Sequence, residues 1–340
     1  MRVTRESLLR IAKETVQERA YNDPDIVAAY LTGSLKAEPM LGGTADIDIV
    51  FVHKTAPMKT REFVKLTPDF HIDISRRAKD EFKAPRELRG DPWLGYEMYD
   101  PILLYEREKF FDFVQASLRA GFEFEQPPLM LQRCRTLLAH GRGNWMDLSE
   151  HDGEAGPKEI RKYMKALFHA VNAVAELSGP PIWERRLLFD FPARAEAAQK
   201  PGMVAAVYGL LGANNINADQ LKGWLSDWKT AFRVAAETSG VDVRIHPARL
   251  NYYEKAVKAL LDGDTPLSAL WPVLHTWTLS SAVLTGDHLK FWQEVCNALG
   301  LIEGFPDRVA GLDQFLDELE ITFDEIAAAN GLDAEPSTGL

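Results

Sequence analysis

Cysteine is nearly absent from this chain of 340 residues. Its two cysteines, Cys134 and Cys296, are far apart and form no CxxC pair. A disulfide framework and a cysteine-based zinc site are therefore not expected, whereas a reducing, cytoplasmic setting is. The sequence also has no apolar run near the roughly 18 residues that a membrane span needs. Its first residues are of mixed charge, so no secretory signal is expected.

Basic residues are also fewer than acidic ones. The chain has 39 Lys and Arg against 50 Asp and Glu, a formal net charge of −11. This balance argues against a nucleic-acid partner held by bulk electrostatics. Residues 301–340 hold ten acidic residues and one basic residue, Arg308, whereas residues 1–125 sum to −3 and residues 126–300 to +1. The excess is therefore mostly C-terminal, and it does not indicate a cationic substrate.

The length predicts about two domains. Strand patterns occur only in the first part of the chain, at residues 26–31, 46–52, 70–75 and 101–105. Helical patterns cover residues 4–18, 110–119, 129–138, 157–178, 203–211, 219–237, 249–261, 267–284, 289–299 and 312–329. We therefore predict an α+β (mixed α/β) domain over residues 1–125, an α-helical domain over residues 126–330, and a tail over residues 331–340.

Three aspartates stand out against this background. Asp46 and Asp48 are two residues apart in an apolar strand, so both carboxylates leave the same face of the sheet. Asp73 lies in the next predicted strand, where His71 and Ser75 share its face. Three converging carboxylates are unfavourable without divalent cations, and hard oxygen ligands favour Mg²⁺ or Mn²⁺ over zinc. The sequence therefore predicts a metal site. Asp69, beside a proline, is the rival third acid and is better interpreted as a turn residue.

A phosphate-binding element is predicted just before these acids. Gly33 and Ser34 end the first strand, where a short helix should begin, and free N–H groups at a helix N-terminus bind phosphate oxygens. Gly33 allows close approach of the backbone, and the Ser34 hydroxyl adds a donor. Lys36 is a further candidate for contact with phosphate. A phosphate cradle with three acids suits two-metal phosphoryl or nucleotidyl transfer.

The run Gly33-Ser34…Asp46-x-Asp48 followed by Asp73 resembles the nucleotidyltransferase superfamily that includes DNA polymerase beta. Within it, the chain looks most like the aminoglycoside nucleotidyltransferases and their minimal relatives. The resemblance implies a small nucleotidyltransferase-like mixed sheet with flanking helices, followed by a helical substrate-binding domain.

The resemblance covers residues 25–105. It implies that the Gly-Ser turn binds the triphosphate, that Asp46 and Asp48 contact both of two Mg²⁺ ions (Mn²⁺ being the alternative), and that Asp73 contacts the catalytic one. Ala45 departs from the Ser found before the first Asp in many relatives, at a position that is not a metal ligand in the family.

The implied reaction moves a nucleoside monophosphate, AMP by analogy, from NTP to a hydroxyl of a small, aminoglycoside-like molecule and releases pyrophosphate. Two alternatives stay open. The acceptor is a protein or tRNA, as in toxin–antitoxin relatives, or the chain is a non-catalytic nucleotide-binding module. The oligomeric state is left undetermined.

Two further elements supply candidates. Arg161 and Lys165 lie on the polar face of the helix after Pro157 and could contact phosphates, as a basic residue does in the resembled family; a solvated helix face is the alternative. An acidic loop over residues 147–154 precedes this helix. Its acids Glu150, Asp152 and Glu154 are unranked candidates for a general base.

Overall fold

A computed structural model describes residues 4–36, 41–44, 46–82, 84–122, 126–151 and 153–332, with only the backbone of residues 34 and 36. The described residues fall into two compact units. The first, here the sheet unit, combines Met1–Phe122 with the later segment His246–Ala259. The second, the helical unit, combines Glu123–Ile245 with Leu260–Leu340. The domain limits taken from the sequence stay a prediction.

The sheet unit alternates helices and strands. In chain order it contains α1 (Arg5–Asn22), β1 (Ile26–Thr32), β2 (Asp46–His53), β3 (Arg61–Lys65), β4 (His71–Ala78), α2 (Leu94–Tyr99), β5 (Ile102–Glu106) and α3 (Phe110–Arg119). The rest of the described chain is helical. Its helices are α4 (Pro127–Ser149), α5 (Pro157–Ala175), α6 (Leu187–Ala197), α7 (Gly202–Leu210), α8 (Ala218–Ala236), α9 (Leu250–Leu261), α10 (Leu270–Ser281), α11 (Gly286–Ala298) and α12 (Phe305–Ala329).

The five described strands form one mixed sheet in the order β3-β4-β2-β1-β5. β2 and β4 run parallel, and the other neighbouring pairs are antiparallel. This arrangement confirms the predicted α+β class with a helical C-terminal region. The strand β3 was not predicted, because every one of its residues is at least partly exposed and its apolar pattern is weak.

The core of the sheet unit lies between α1 and one face of the sheet. A capping box between Thr4 and Ser7 starts α1, and a stripe at four-residue spacing faces inward: Leu8, Ala12, Val16 and Ala20. Ile47 and Ile49 of β2 join the same core. Since strand side chains alternate, burial of these two isoleucines places Asp46 and Asp48 on the opposite face.

The helical unit corrects one expectation from the sequence. The predicted helix 129–138 continues as α4 to Ser149, so the first part of the predicted acidic loop is helical. Gly141 lies within this helix and against α5, where an added Cβ would be 3.3 Å from the Ala166 carbonyl oxygen. The glycine thus permits close helix packing rather than ending the helix. Asp147 lies on α4 and accepts a hydrogen bond from Lys162 at 2.8 Å.

No helix among the residues with described structure has the length and apolar character of a membrane span.

Candidate metal centre

Asp46, Asp48 and Asp73 come together on one face of the sheet. Asp48 and Asp73 are register partners across the parallel β2–β4 pair, and Asp46 begins β2 two residues earlier. One carboxylate oxygen from each of the three lies within 4.8 Å of the others. Asp46 and Asp73 are buried, with 4% and 3% of their surface exposed, and Asp48 is partly buried. Three oxygen donors so close together fit a hard divalent cation such as Mg²⁺ or Mn²⁺.

The electrostatics of this triad (Asp46, Asp48 and Asp73) centre on Asp48. Loss of solvent around its carboxyl, followed by the charges of Asp46 and Asp73, raises the pKa of Asp48 well above its usual range. The guanidinium groups of Arg249 and Arg61 oppose this rise but do not cancel it. A fully ionised triad is thus costly in the absence of a cation, which is the expected property of a metal site.

Gly33 lies beside the triad, where a side chain would have no space. It follows β1 with a φ of +76°, and a Cβ at this position would lie 1.7 Å from Oδ2 of Asp48. L side chains rarely adopt this backbone conformation, and a Cβ so close to the carboxylate would force Asp48 to move. The Gly-Ser turn therefore lies directly against the Asp48 carboxylate.

Arg61 makes a two-pronged contact with Asp73. Its Nε donates to Oδ1 at 3.0 Å and its Nη2 to Oδ2 at 2.6 Å. Arg61 reaches Asp73 from β3, the edge strand, where 33% of its side chain stays exposed, whereas only 2% of the Asp73 side chain is. The partly exposed Arg61 therefore offsets the negative charge of the buried Asp73.

Arg249 supplies a second cation from the late segment of the sheet unit. It ends the 3-10 turn Pro247–Arg249, is 5% exposed, and places Nη2 3.9 Å from Oδ2 of Asp46. Its guanidinium carbon lies 5.1 Å from the ring centroids of Phe63 and Tyr253 and 5.5 Å from that of Tyr252. Cation–π contacts on three rings hold this charge in a fixed place beside the triad.

Phe63 links the two arginines. It is the register partner of Asp73 across β3 and β4, and its ring centroid is 5.2 Å from the guanidinium carbon of Arg61. Arg249 contacts the same ring. One aromatic side chain therefore contacts both cations that balance the triad.

Other residues predicted from the sequence lie elsewhere. Asp69, the rival third acid, pairs with Lys255 at 2.8 Å and is outside the triad. Arg161 lies in the helical unit, where it pairs with Asp242 at 2.7 Å. Lys165 is exposed on the same helix, α5. Both basic residues belong to the helical unit, and their contact with phosphate stays a prediction.

The remaining candidates are only partly described. Glu150 and Glu154 are exposed in the helical unit, and their role as a base is untested. Asp152, Ala45 and the side chains of Ser34 and Lys36 lie outside the described residues.

Sequence reasoning missed Arg61 and Arg249. Arg61 had almost no signal, because polar and apolar residues do not alternate over residues 61–65. Arg249 had none, since it is remote in sequence from the aspartates and its pattern predicted only the start of a helix.

Comparison with known proteins adds little. No protein-family model matches the chain, and no curated protein does. Among solved structures, the chain is similar to a nucleotidyltransferase-like protein from Exiguobacterium sibiricum 255-15, with 13% identity, a TM-score of 0.30, and coverage of 98% of this chain and 96% of that one. A TM-score of 0.30 is too low to establish a shared fold.

Proposed function

We propose that this chain is a metal-dependent nucleotidyltransferase. It would move a nucleoside monophosphate, AMP by analogy with the resembled family, from NTP to a hydroxyl of a small, aminoglycoside-like molecule and release pyrophosphate. The observation that carries the proposal is the triad on adjacent parallel strands with Gly33 against Asp48. A lone Asp-x-Asp pair would carry no such weight, because exposed acidic pairs are common.

The two parts of the site support the same reaction. The triad offers hard oxygen donors in a costly concentration of negative charge, which suits binding of Mg²⁺ or Mn²⁺. The 3-10 turn Gly33–Lys36 follows β1 next to the triad, and its backbone N–H groups would bind a triphosphate. A nucleotide bound as its metal complex needs both, since its phosphates and its cations must lie side by side.

Each group of the chain has a distinct task in this scheme. Asp46 and Asp48 would both contact each of two cations, and Asp73 would contact only the catalytic one of the two. Gly33 and Ser34 would bind the triphosphate. Bound divalent cations supply charge neutralisation at the phosphates and lower the pKa of an attacking hydroxyl. Arg249 places a positive charge 3.9 Å from the buried Asp46 carboxylate. Residues 126–330 would select the acceptor.

The decisive experiment uses NTP labelled on the α-phosphate. It measures transfer of the label to a panel of hydroxylated acceptors that includes aminoglycosides. The wild-type chain is compared with Asp46→Asn and Asp48→Asn. Mutation of a residue that only hydrogen-bonds to a metal ligand typically lowers metal affinity or activity by about 10–100-fold. Loss of a ligand itself should therefore lower turnover by more than about 100-fold. Asp69→Asn is the matched control, because Asp69 is an acid of the same unit whose partner is Lys255, and it should keep its activity.

The destination of the label separates the acceptors. Label on a small acceptor supports the proposal as stated. Label on the chain itself, on another protein or on tRNA supports the same chemistry with a macromolecular acceptor. Absence of turnover together with metal–NTP binding that depends on Asp46 and Asp48 indicates a non-catalytic nucleotide-binding module. Absence of both turnover and binding in the wild type contradicts the proposal.

A further inference from the structure

The two arginines beside the triad differ in freedom of movement. Arg249 is 5% exposed and lies among three aromatic rings, so its charge cannot leave without disrupting the packing. Arg61 extends from the edge strand β3, and a third of its side chain is exposed. A long side chain at a sheet edge can turn its charged end towards solvent, although Arg61 would then leave the ring of Phe63 as well as Asp73.

The contact made by Arg61 conflicts with the use of Asp73 as a metal ligand. Both oxygens of Asp73 accept hydrogen bonds from Arg61, at 3.0 and 2.6 Å. One oxygen of the same carboxylate is within 4.8 Å of ligand oxygens on Asp46 and Asp48. A divalent ion at the triad would therefore lie close to the guanidinium, and the two cations would repel each other.

The charge of the triad points in the same direction. The carboxylates of Asp46, Asp48 and Asp73 carry three negative charges when all are ionised, and Arg61 and Arg249 return two positive charges. With both arginines in place, little net charge remains to attract a second divalent ion. Departure of Arg61 restores one negative charge and frees the oxygens of Asp73.

We propose that Arg61 is a displaceable counter-ion that holds Asp73 until a divalent cation takes its place. Arg61 would thereby set the cation concentration at which the Asp73 position is filled, whereas Arg249 stays as a fixed counter-ion. The inference rests on the proposed function, because it requires that the triad binds a metal. It adds a residue outside the aspartates that controls how readily the metal binds.

The test is Mn²⁺ binding to the full chain without nucleotide, measured by EPR of the free ion and by calorimetry. Arg61→Met should tighten the weakest Mn²⁺ site by about tenfold or more, equivalent to about 1.4 kcal/mol. Arg61→Lys retains the charge but cannot reproduce the two-pronged contact. The Mn²⁺ affinity of this variant should therefore fall between those of the wild type and Arg61→Met. Lys255→Met is the matched control, because it removes a positive charge that pairs with Asp69, and its affinity should stay within about twofold of the wild type.

A double-mutant cycle assigns the effect to Asp73. In the Asp73→Asn background, Arg61→Met should tighten Mn²⁺ binding much less than in the wild type, since the shared carboxylate is gone. Circular dichroism and urea unfolding establish that each variant folds, and Arg61→Lys alone still decides the matter if Arg61→Met does not fold.

The outcomes separate this inference from the proposed function. If the wild type binds Mn²⁺ through Asp46 and Asp48 but neither Arg61 variant binds it more tightly, Arg61 only stabilises the sheet and the inference is wrong while the metal site stands. If the effect of Arg61→Met persists undiminished with Asp73→Asn, competition for that carboxylate is also refuted. If neither the wild type nor any variant binds Mn²⁺, both the metal site and the inference fail.

Discussion

A Cβ atom on Gly33 would lie 1.7 Å from Oδ2 of Asp48. The position of the Asp48 carboxylate therefore depends on the residue in the turn after β1. Only glycine satisfies both the φ of +76° and this close approach. The residue that opens the proposed phosphate turn is therefore also the residue that leaves room for the Asp48 carboxylate of the candidate metal centre.

We expect Gly33→Ala to abolish metal binding and turnover, because Asp48 must move away from Asp46 and Asp73. Gly43→Ala is the matched control. Gly43 also has a positive φ, of +65°, but an added Cβ there meets nothing within 4 Å. The control should lose about 1 kcal/mol of unfolding free energy to backbone strain and keep Mn²⁺ binding. Equal losses of Mn²⁺ binding in the two variants would mean that the contact with Asp48 is unimportant.

Arg249 should be required for stability as well as for the site. We expect Arg249→Met to lower the unfolding free energy by about 3 kcal/mol or more, since removal of one partner leaves a buried carboxylate, Asp46, without its cation. Arg107→Met is a suitable comparison, because Arg107 is half-buried and contacts Tyr105 and a backbone oxygen rather than a carboxylate. Urea unfolding checks both variants. A cost for Arg249→Met no larger than for Arg107→Met would show that Arg249 does not balance the triad.

The acid sensitivity of the sheet should involve Glu62, the neighbour of Arg61 on β3. Hydrogen bonds from Arg19, at 2.8 and 3.0 Å, and from Arg76 lower the pKa of Glu62 from 4.5 to about 2. Because the folded-state pKa is depressed, the stabilisation is complete above the unfolded value near 4.5 and is lost as the pH falls towards 2. Glu62→Gln should therefore cost roughly 1–2 kcal/mol at pH 7 and little near pH 2. Unfolding free energies of the two proteins measured across this range provide the check; a difference that does not change with pH would refute the assignment.

The sequence was most informative where its signals are local. Alternation in β2 put Asp46 and Asp48 on one face, since Ile47 and Ile49 are buried on the opposite face. The same rule applied to β4 placed Asp73 beside them, and the structure has these two strands paired. Gly33 follows β1 with a positive φ, a conformation that glycine adopts readily, and its role towards phosphate stays a prediction.

The counter-ions could not be predicted in this way. Arg61 lies on a short edge strand whose five residues are all at least partly exposed, so hydrophobic periodicity hardly marks it. Arg249 reaches Asp46 through long-range packing of His246–Ala259 within the sheet unit, and composition and spacing carry no record of such contacts. The continuation of α4 to Ser149 was not predicted either, because a tertiary contact of Gly141 with α5 outweighs the low helix propensity of glycine.

Asp48 should oppose stability in the metal-free chain and be indispensable to metal binding. Its raised pKa means that its charged form is disfavoured by desolvation and by the neighbouring Asp46 and Asp73. We therefore expect Asp48→Asn to raise the thermal midpoint in EDTA, because the side chain keeps its shape and loses the repulsion. In the wild type, Mn²⁺ at 100 times its Kd should add about 2.7 kcal/mol, whereas in Asp48→Asn it should add almost nothing. Thermal unfolding of both proteins with EDTA and with Mn²⁺ reports the two effects together. A variant less stable than the wild type in EDTA would show that Asp48 has a structural role, and an undiminished response to Mn²⁺ would place the ion elsewhere.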